Sequence, residues 1–148
     1  MQKEVLCKTE EDTIKLAQDL ACKAKSGDVF ALYGTLGMGK SVFARAFIQK
    51  LCNVDDVPSP TFTLLQTYSG CKGDIYHYDL YRLKHPDEVF ELGFEEAVYS
   101  GISLIEWPEN AGSWLPKDIV KIKIVSHETG RIFSISASSE EKRSRLGL

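Results

Sequence analysis

The chain has 148 residues, 43% hydrophobic and 26% charged, with a formal net charge of −3. That length fits one domain with a real core, and no apolar run approaches the roughly 20 residues that span a bilayer. The acidic balance argues against tight unaided binding of RNA or DNA, which needs a basic face to displace counterions from phosphates.

Residues 3–7 read as a short edge strand. Thr9 is placed as a helix N-cap, with Glu10, Glu11 and Asp12 complementing the dipole in the first turn. Ile14, Ala17, Ala21 and Ala24 recur at helical spacing, and Gly27 supplies a stop, which predicts a helix over 10–25. Val29 to Tyr33 is five apolar residues bounded by Gly27 and Gly34, the pattern of a strand buried on both faces of a parallel sheet. Phe43, Ala46, Phe47 and Leu51 then share one face of a helix ending near Cys52. Val57-Pro58-Ser59-Pro60 is loop.

Phe62 to Tyr68 and Asp74 to Tyr81 read as a hairpin with a longer turn through Ser69–Gly73. Pro86 suits the first turn of a helix carrying Val89, Phe90 and Leu92, which Gly93 interrupts before a second piece through Val98. Ile102 to Ile105 is another apolar strand, and 119–125 with 131–137 form a last hairpin around His127-Glu128-Thr129-Gly130. From Ser138 the chain turns polar, and Lys142-Arg143-Ser144-Arg145 reads as a solvated, frayed tail. The expectation is one α/β domain over 1–137, P-loop NTPase-like and three-layered, with a mixed central sheet, followed by a flexible tail over 138–148.

The four cysteines and three histidines are scattered, so neither a disulfide framework nor a zinc site is expected. The N-terminal residues show no apolar signal region, and the expected location is the cytoplasm.

Gly34-Thr35-Leu36-Gly37-Met38-Gly39-Lys40-Ser41 matches the P-loop pattern G-x-x-x-x-G-K-[ST] in full. Glycines let successive N–H groups turn inward on phosphate oxygens, and Gly39 lies where the loop becomes a helix with a positive N-terminal end. In such a loop Lys40 is expected to reach β- and γ-phosphates and the Ser41 hydroxyl to ligate Mg²⁺. A random chain of this length matches on the order of once in a few hundred, and this match also sits between a buried strand and an amphipathic helix. ATP and Mg²⁺ are therefore the expected ligands. Two acids follow apolar strands, Asp79 after Ile75–Tyr78 and Glu106 after Ile102–Ile105, where strand ends converge on a ligand crevice. Trp107 reads from its context as packing or as a ligand contact.

Five segments in fixed order carry a more specific signal. They are the P-loop, Ser59-Pro60-Thr61-Phe62-Thr63-Leu64, Tyr76-His77-Tyr78-Asp79-Leu80-Tyr81-Arg82-Leu83, Glu91-Leu92-Gly93-Phe94-Glu95-Glu96 and Leu104-Ile105-Glu106-Trp107-Pro108-Glu109. Together they resemble the bacterial TsaE (YjeE) family from about Thr9 to Arg131. The resemblance implies a P-loop ATPase needed for threonylcarbamoyladenosine modification of tRNA, working with TsaB and TsaD, with ATP turnover resetting that complex. It implies Gly34 to Ser41 as the nucleotide loop, with Val42 following, and Ser41 and Glu106 on the metal side. Asp79 and Thr61 then support the γ-phosphate region, Trp107 becomes functional, and Thr9 and Arg131 lie near base and ribose. Lys40, Asp79 and Glu106 form the expected catalytic set. Which acid touches the metal directly stays open.

Two other readings compete. A small-molecule kinase normally brings several arginines on a mobile lid, whereas Arg45, Arg82, Arg131, Arg143 and Arg145 form no such cluster. A nucleotide-sensing module would bind ATP without turning it over, against which stand Lys40, Ser41, Asp79 and Glu106. A GTPase is disfavoured by the lack of N-K-x-D and of a glycine completing D-x-x-G after Asp79.

Overall fold

Val29–Tyr33 becomes the middle strand of the sheet, and its alternation sets the two faces of the molecule. Phe30 and Leu32 enter one apolar cluster, while Val29, Ala31 and Tyr33 meet another. A computed structural model describes residues 2–35 and 37–148. Its strands are β1 (Gln2–Cys7), β2 (Val29–Tyr33), β3 (Leu65–Gly70), β4 (Gly73–Asp79), β5 (Ile102–Glu106), β6 (Val120–His127) and β7 (Gly130–Ala137). The α-helices are α1 (Glu10–Lys23), α2 (Lys40–Leu51), α3 (Phe94–Ser100) and α4 (Glu140–Leu146), with 3₁₀ segments at Pro86–Leu92 and Pro108–Trp114.

Strand order is β1-β7-β6-β2-β5-β4-β3. The four inner strands β6, β2, β5 and β4 run parallel, while β7, β1 and β3 pair antiparallel at the flanks. Helices α1, α2 and α4 cover one face, where Leu20, Phe47 and Leu146 join Phe30 and Leu32. Phe30 meets Phe47 edge-on at 5.0 Å, and Phe43 stacks on Phe133 at 6.0 Å. Each fully buried aromatic ring of this kind contributes about 1.5–3 kcal/mol. Helix α3 and the 3₁₀ segments cover the other face with Phe94, Val89 and Ala111. The result is a three-layer α/β fold with a mixed sheet, as the element order implies.

Several boundaries differ from the sequence reading. Helix α1 ends at Lys23, because Ala24 is already extended (ψ 155°). Lys72 Nζ, from the β3–β4 turn, donates to the carbonyls of Ala21 and Ala24 and so caps that helix from a distance. Strand β3 starts at Leu65 rather than Phe62. Leu64 takes a left-handed conformation (φ 67°) with its N–H on Pro60 O, and Phe62 is left 80% exposed. The hairpin turn is shorter than expected, Cys71-Lys72, with Gly73 at φ 106°. The segment carrying Val89 and Phe90 is 3₁₀, with Phe90 half exposed.

The polar tail is corrected more substantially. Ser139 caps helix α4 by accepting from Lys142 N–H, and Leu146 is buried. Arg145 reaches back to Asp28 through two hydrogen bonds of 2.8 Å, so the segment docks on the domain instead of standing in solvent. All four cysteines are free. No helix among the described residues is long and apolar enough to cross a membrane.

Candidate functional site

Alternation along β4 and β5 decides which side chains reach the helix α2 face. On β4 it is Ile75, His77 and Asp79; on β5 it is Ile102, Leu104 and Glu106. Asp79 and Glu106 are also register partners across the parallel pair. The two acids end neighbouring strands on the same side, beside the loop that runs from β2 into α2. Both are buried, 5% and 4% exposed, which carboxylates tolerate only with specific partners.

Those partners are present. Asp79 Oδ2 accepts from the Thr61 hydroxyl at 2.8 Å and Oδ1 accepts from Tyr81 N–H at 3.1 Å. Ser59 Oγ lies 2.7 Å from Thr61 Oγ1, extending the chain of hydroxyls outward. Glu106 Oε2 lies 2.7 Å from Nε2 of the buried His77.

Lys40 opens helix α2 and is 5% exposed. Its ammonium donates to Gly34 O at 2.7 Å and stands 3.7 Å from the centroid of the Trp107 ring. Burial pushes it below the usual lysine range, while Glu106, Glu109 and Asp79 pull the other way. Among the described residues it is held by one carbonyl and a π-face, with donors to spare for an anion. Gly37 (φ 82°) and Gly39 (φ 93°) both occupy the left-handed region that the turn into α2 demands. A Cβ at Gly34 would lie 3.2 Å from Ile124 O, so the loop is packed tightly against β6.

Two cavities flank the loop and share Gly37, Gly39 and Val42. One of about 390 Å³ also gathers Lys40, Ser41, Ser59, Thr61, Asp79, Tyr81, Glu106 and Trp107. The other, about 280 Å³, includes Thr9, Met38 and Arg131. Arg131 Nη2 donates to Gly37 O at 3.3 Å, tying the last hairpin to the loop. Thr9 also serves as the N-cap, its hydroxyl accepting from Asp12 N–H in a capping box, so its position has a structural cause of its own. Gly34 and Thr35 face a third hollow toward β6, and Leu36 lies outside the described residues.

The residues singled out in the sequence therefore gather at the ends of the parallel strands. Trp107 is half-buried in a left-handed conformation (φ 57°), its ring between the Lys40 ammonium and Tyr81, whose centroid is 4.9 Å away. Ser59 and Tyr81 line the cavity and His77 stands behind Glu106, without having been picked out. For His77 the signal was its i, i+2 spacing from Asp79, which puts both on one face of a strand.

Oxygen donors from Ser41, Asp79 and Glu106 match the hard-cation chemistry of Mg²⁺. No group of three His, Cys, Asp or Glu forms a metal cage among the described residues.

A three-layer α/β fold with a glycine-rich strand-to-helix loop and paired acids at adjoining parallel strand ends defines the class: an α/β, P-loop NTPase-like protein. The family model described as "Threonylcarbamoyl adenosine biosynthesis protein TsaE" matches residues 7–133. The chain belongs to the TsaE family. It is 44% identical over 139 residues to the tRNA threonylcarbamoyladenosine biosynthesis protein TsaE of Rickettsia felis, covering 93% of this chain and 81% of that one. The protein of the same name from Bacillus subtilis is 37% identical over 115 residues, covering 77% and 72%. The crystal structure of YdiB from Bacillus subtilis superposes with a TM-score of 0.79 at 27% identity, over 99% of this chain and 93% of that one.

Proposed function

We propose that this protein is a Mg²⁺-dependent ATPase that serves threonylcarbamoyladenosine modification of tRNA by acting on a TsaB–TsaD complex. The observation that carries the ATPase reading is Lys40. A buried ammonium, paired with one carbonyl and an indole face, stands at the mouth of a glycine-rich loop beside two buried acids. The role in tRNA modification rests on family membership, and the choice of TsaB and TsaD as partners on the resemblance that accompanies it.

In this reading the phosphates lie along the loop and the N-terminal end of α2, where backbone N–H groups and the helix dipole favour negative charge. Lys40 leaves Gly34 O and the Trp107 ring to meet β- and γ-phosphate oxygens. Bound Mg²⁺ supplies neutralisation of phosphate charge and a template for in-line attack. Ser41 and Glu106 would hold it, directly or through water. Asp79, fixed by Thr61 and Tyr81 N–H, orients groups around the γ-phosphate. Thr9 and Arg131, across the loop in the 280 Å³ cavity, take the base and ribose.

The deciding experiment is phosphate release from ATP by the parent and Glu106→Ala, with and without TsaB and TsaD. Turnover by the parent, stimulated by the partners and lowered by about 10²-fold or more in the variant, is expected. Binding without turnover would replace the ATPase with a nucleotide-sensing module. Equal rates with and without TsaB and TsaD would remove the partner role.

A further inference from the structure

The contact between His77 and Glu106 is more specific than packing requires. His77 is 2% exposed, on β4, and faces Leu104 across the parallel pair; Glu106 faces Asp79. The 2.7 Å bond therefore runs diagonally, drawing the Glu106 carboxylate back along its strand. Glu106 and Asp79 are cross-strand neighbours of like charge, which repel, and the bond to His77 gives Glu106 a partner of its own. The imidazole has one hydrogen bond among the described residues, and it is this one. Its Nδ1 is buried with no partner among them. An unpaired buried nitrogen is a cost that an apolar side chain of similar bulk would avoid, so packing alone does not account for a histidine here.

We infer that His77 is a positioning residue for Glu106. Its Nε2–H donates to Glu106 Oε2 and sets the rotamer of the carboxylate. Oε1, which accepts no hydrogen bond among the described residues, is then left for the cavity that Ser41 and Lys40 also line. Ligands of metal ions commonly carry such an outer partner, which fixes their orientation before the metal arrives. The inference rests on the metal-side role proposed for Glu106 and adds the residue that makes that role possible.

The test uses the full chain and a fluorescent, non-hydrolysable ATP analogue titrated in excess EDTA and in Mg²⁺. The ratio of the two dissociation constants measures how much the metal strengthens nucleotide binding. His77→Leu removes the donor at similar bulk; His77→Gln keeps one within reach; His77→Asn keeps the amide but falls short. We expect His77→Leu to bind as the parent does in EDTA and to lose about 10-fold or more of the Mg²⁺ enhancement. His77→Gln should recover most of it and His77→Asn little. An undiminished enhancement in His77→Leu overturns the inference, and so does an equal loss with and without metal, the mark of a merely structural residue. Should His77→Leu not fold, equal enhancement in the Gln and Asn variants overturns it instead. A parent that binds the analogue with no Mg²⁺ effect removes the positioning role but leaves nucleotide binding standing. A parent that fails to bind the analogue at all removes the proposed function itself.

Discussion

Two partly or fully buried cations, Lys40 and Arg145, show what separates a site from a clasp. Arg145 spreads its guanidinium over Asp28, Glu141 and the Lys23 carbonyl, and its affinity for the proton is raised, first by Asp28 and then by Glu141. Its partner Asp28 is 1% exposed at the side chain and also accepts from Lys25 N–H. Among the described residues Lys40 has one carbonyl and a ring face, and burial drives its proton affinity the other way. The first cation is satisfied and holds α4 to the domain. The second is held ready, and its unmet donors are what a phosphate would satisfy.

The sharpest way to test that contrast is to neutralise each cation. Lys40→Met is expected to lower ATP turnover by about 10²–10³-fold while leaving the melting temperature unchanged or raised, because a poorly paired buried charge is lost. A large loss of stability would mean that Lys40 belongs with the structural group after all. Arg145→Met should do the reverse. It strands a buried Asp28 and costs about 3 kcal/mol in urea denaturation, with turnover per folded molecule changed less than about twofold. Comparable losses of activity and stability in that variant would erase the distinction.

The smallest effect concerns pH. Arg145, and then Lys25, hold the Glu141 carboxyl down to about 2, from an ordinary 4.5. A depressed folded value means the stabilisation is complete above about 4.5 and is lost as pH falls through about 2. Glu141→Gln should therefore lower the melting temperature slightly at neutral pH, with the gap to the parent closing between pH 4.5 and 2. A gap that persists at pH 2 would assign the effect to packing of the side chain and not to its charge.

How much of this was legible in the sequence follows from where the stabilising contacts lie along the chain. Strand β2, the loop and α2 were readable because an apolar run, glycines and a helical stripe are local signals. Asp79 and Glu106 were readable as acids ending apolar runs, and parity then brought them together. Helix α4 was not. It has one apolar anchor, Leu146, and its charged neighbour Arg145 finds Asp28 117 residues away, so composition alone spoke for a solvated tail. Phe62 misled for a similar reason, since an aromatic within an extended pattern was assigned to a strand. A left-handed Leu64 instead turned it outward over Arg82. His77 looked like one of three scattered histidines until the strand register set it beside Glu106.

The contact between the Lys40 ammonium and the Trp107 indole has an optical consequence. The chain carries two tryptophans, and Trp114 points its Nε1–H at Asp87 and meets Phe90 edge-on at 4.1 Å. A Trp114→Phe protein would leave a single emitter lying 3.7 Å from a positive charge. An adjacent cation perturbs an excited indole, so withdrawal of Lys40 toward a phosphate would register as a change in emission. The molecule would then report occupancy of its own loop in real time, with no dye attached.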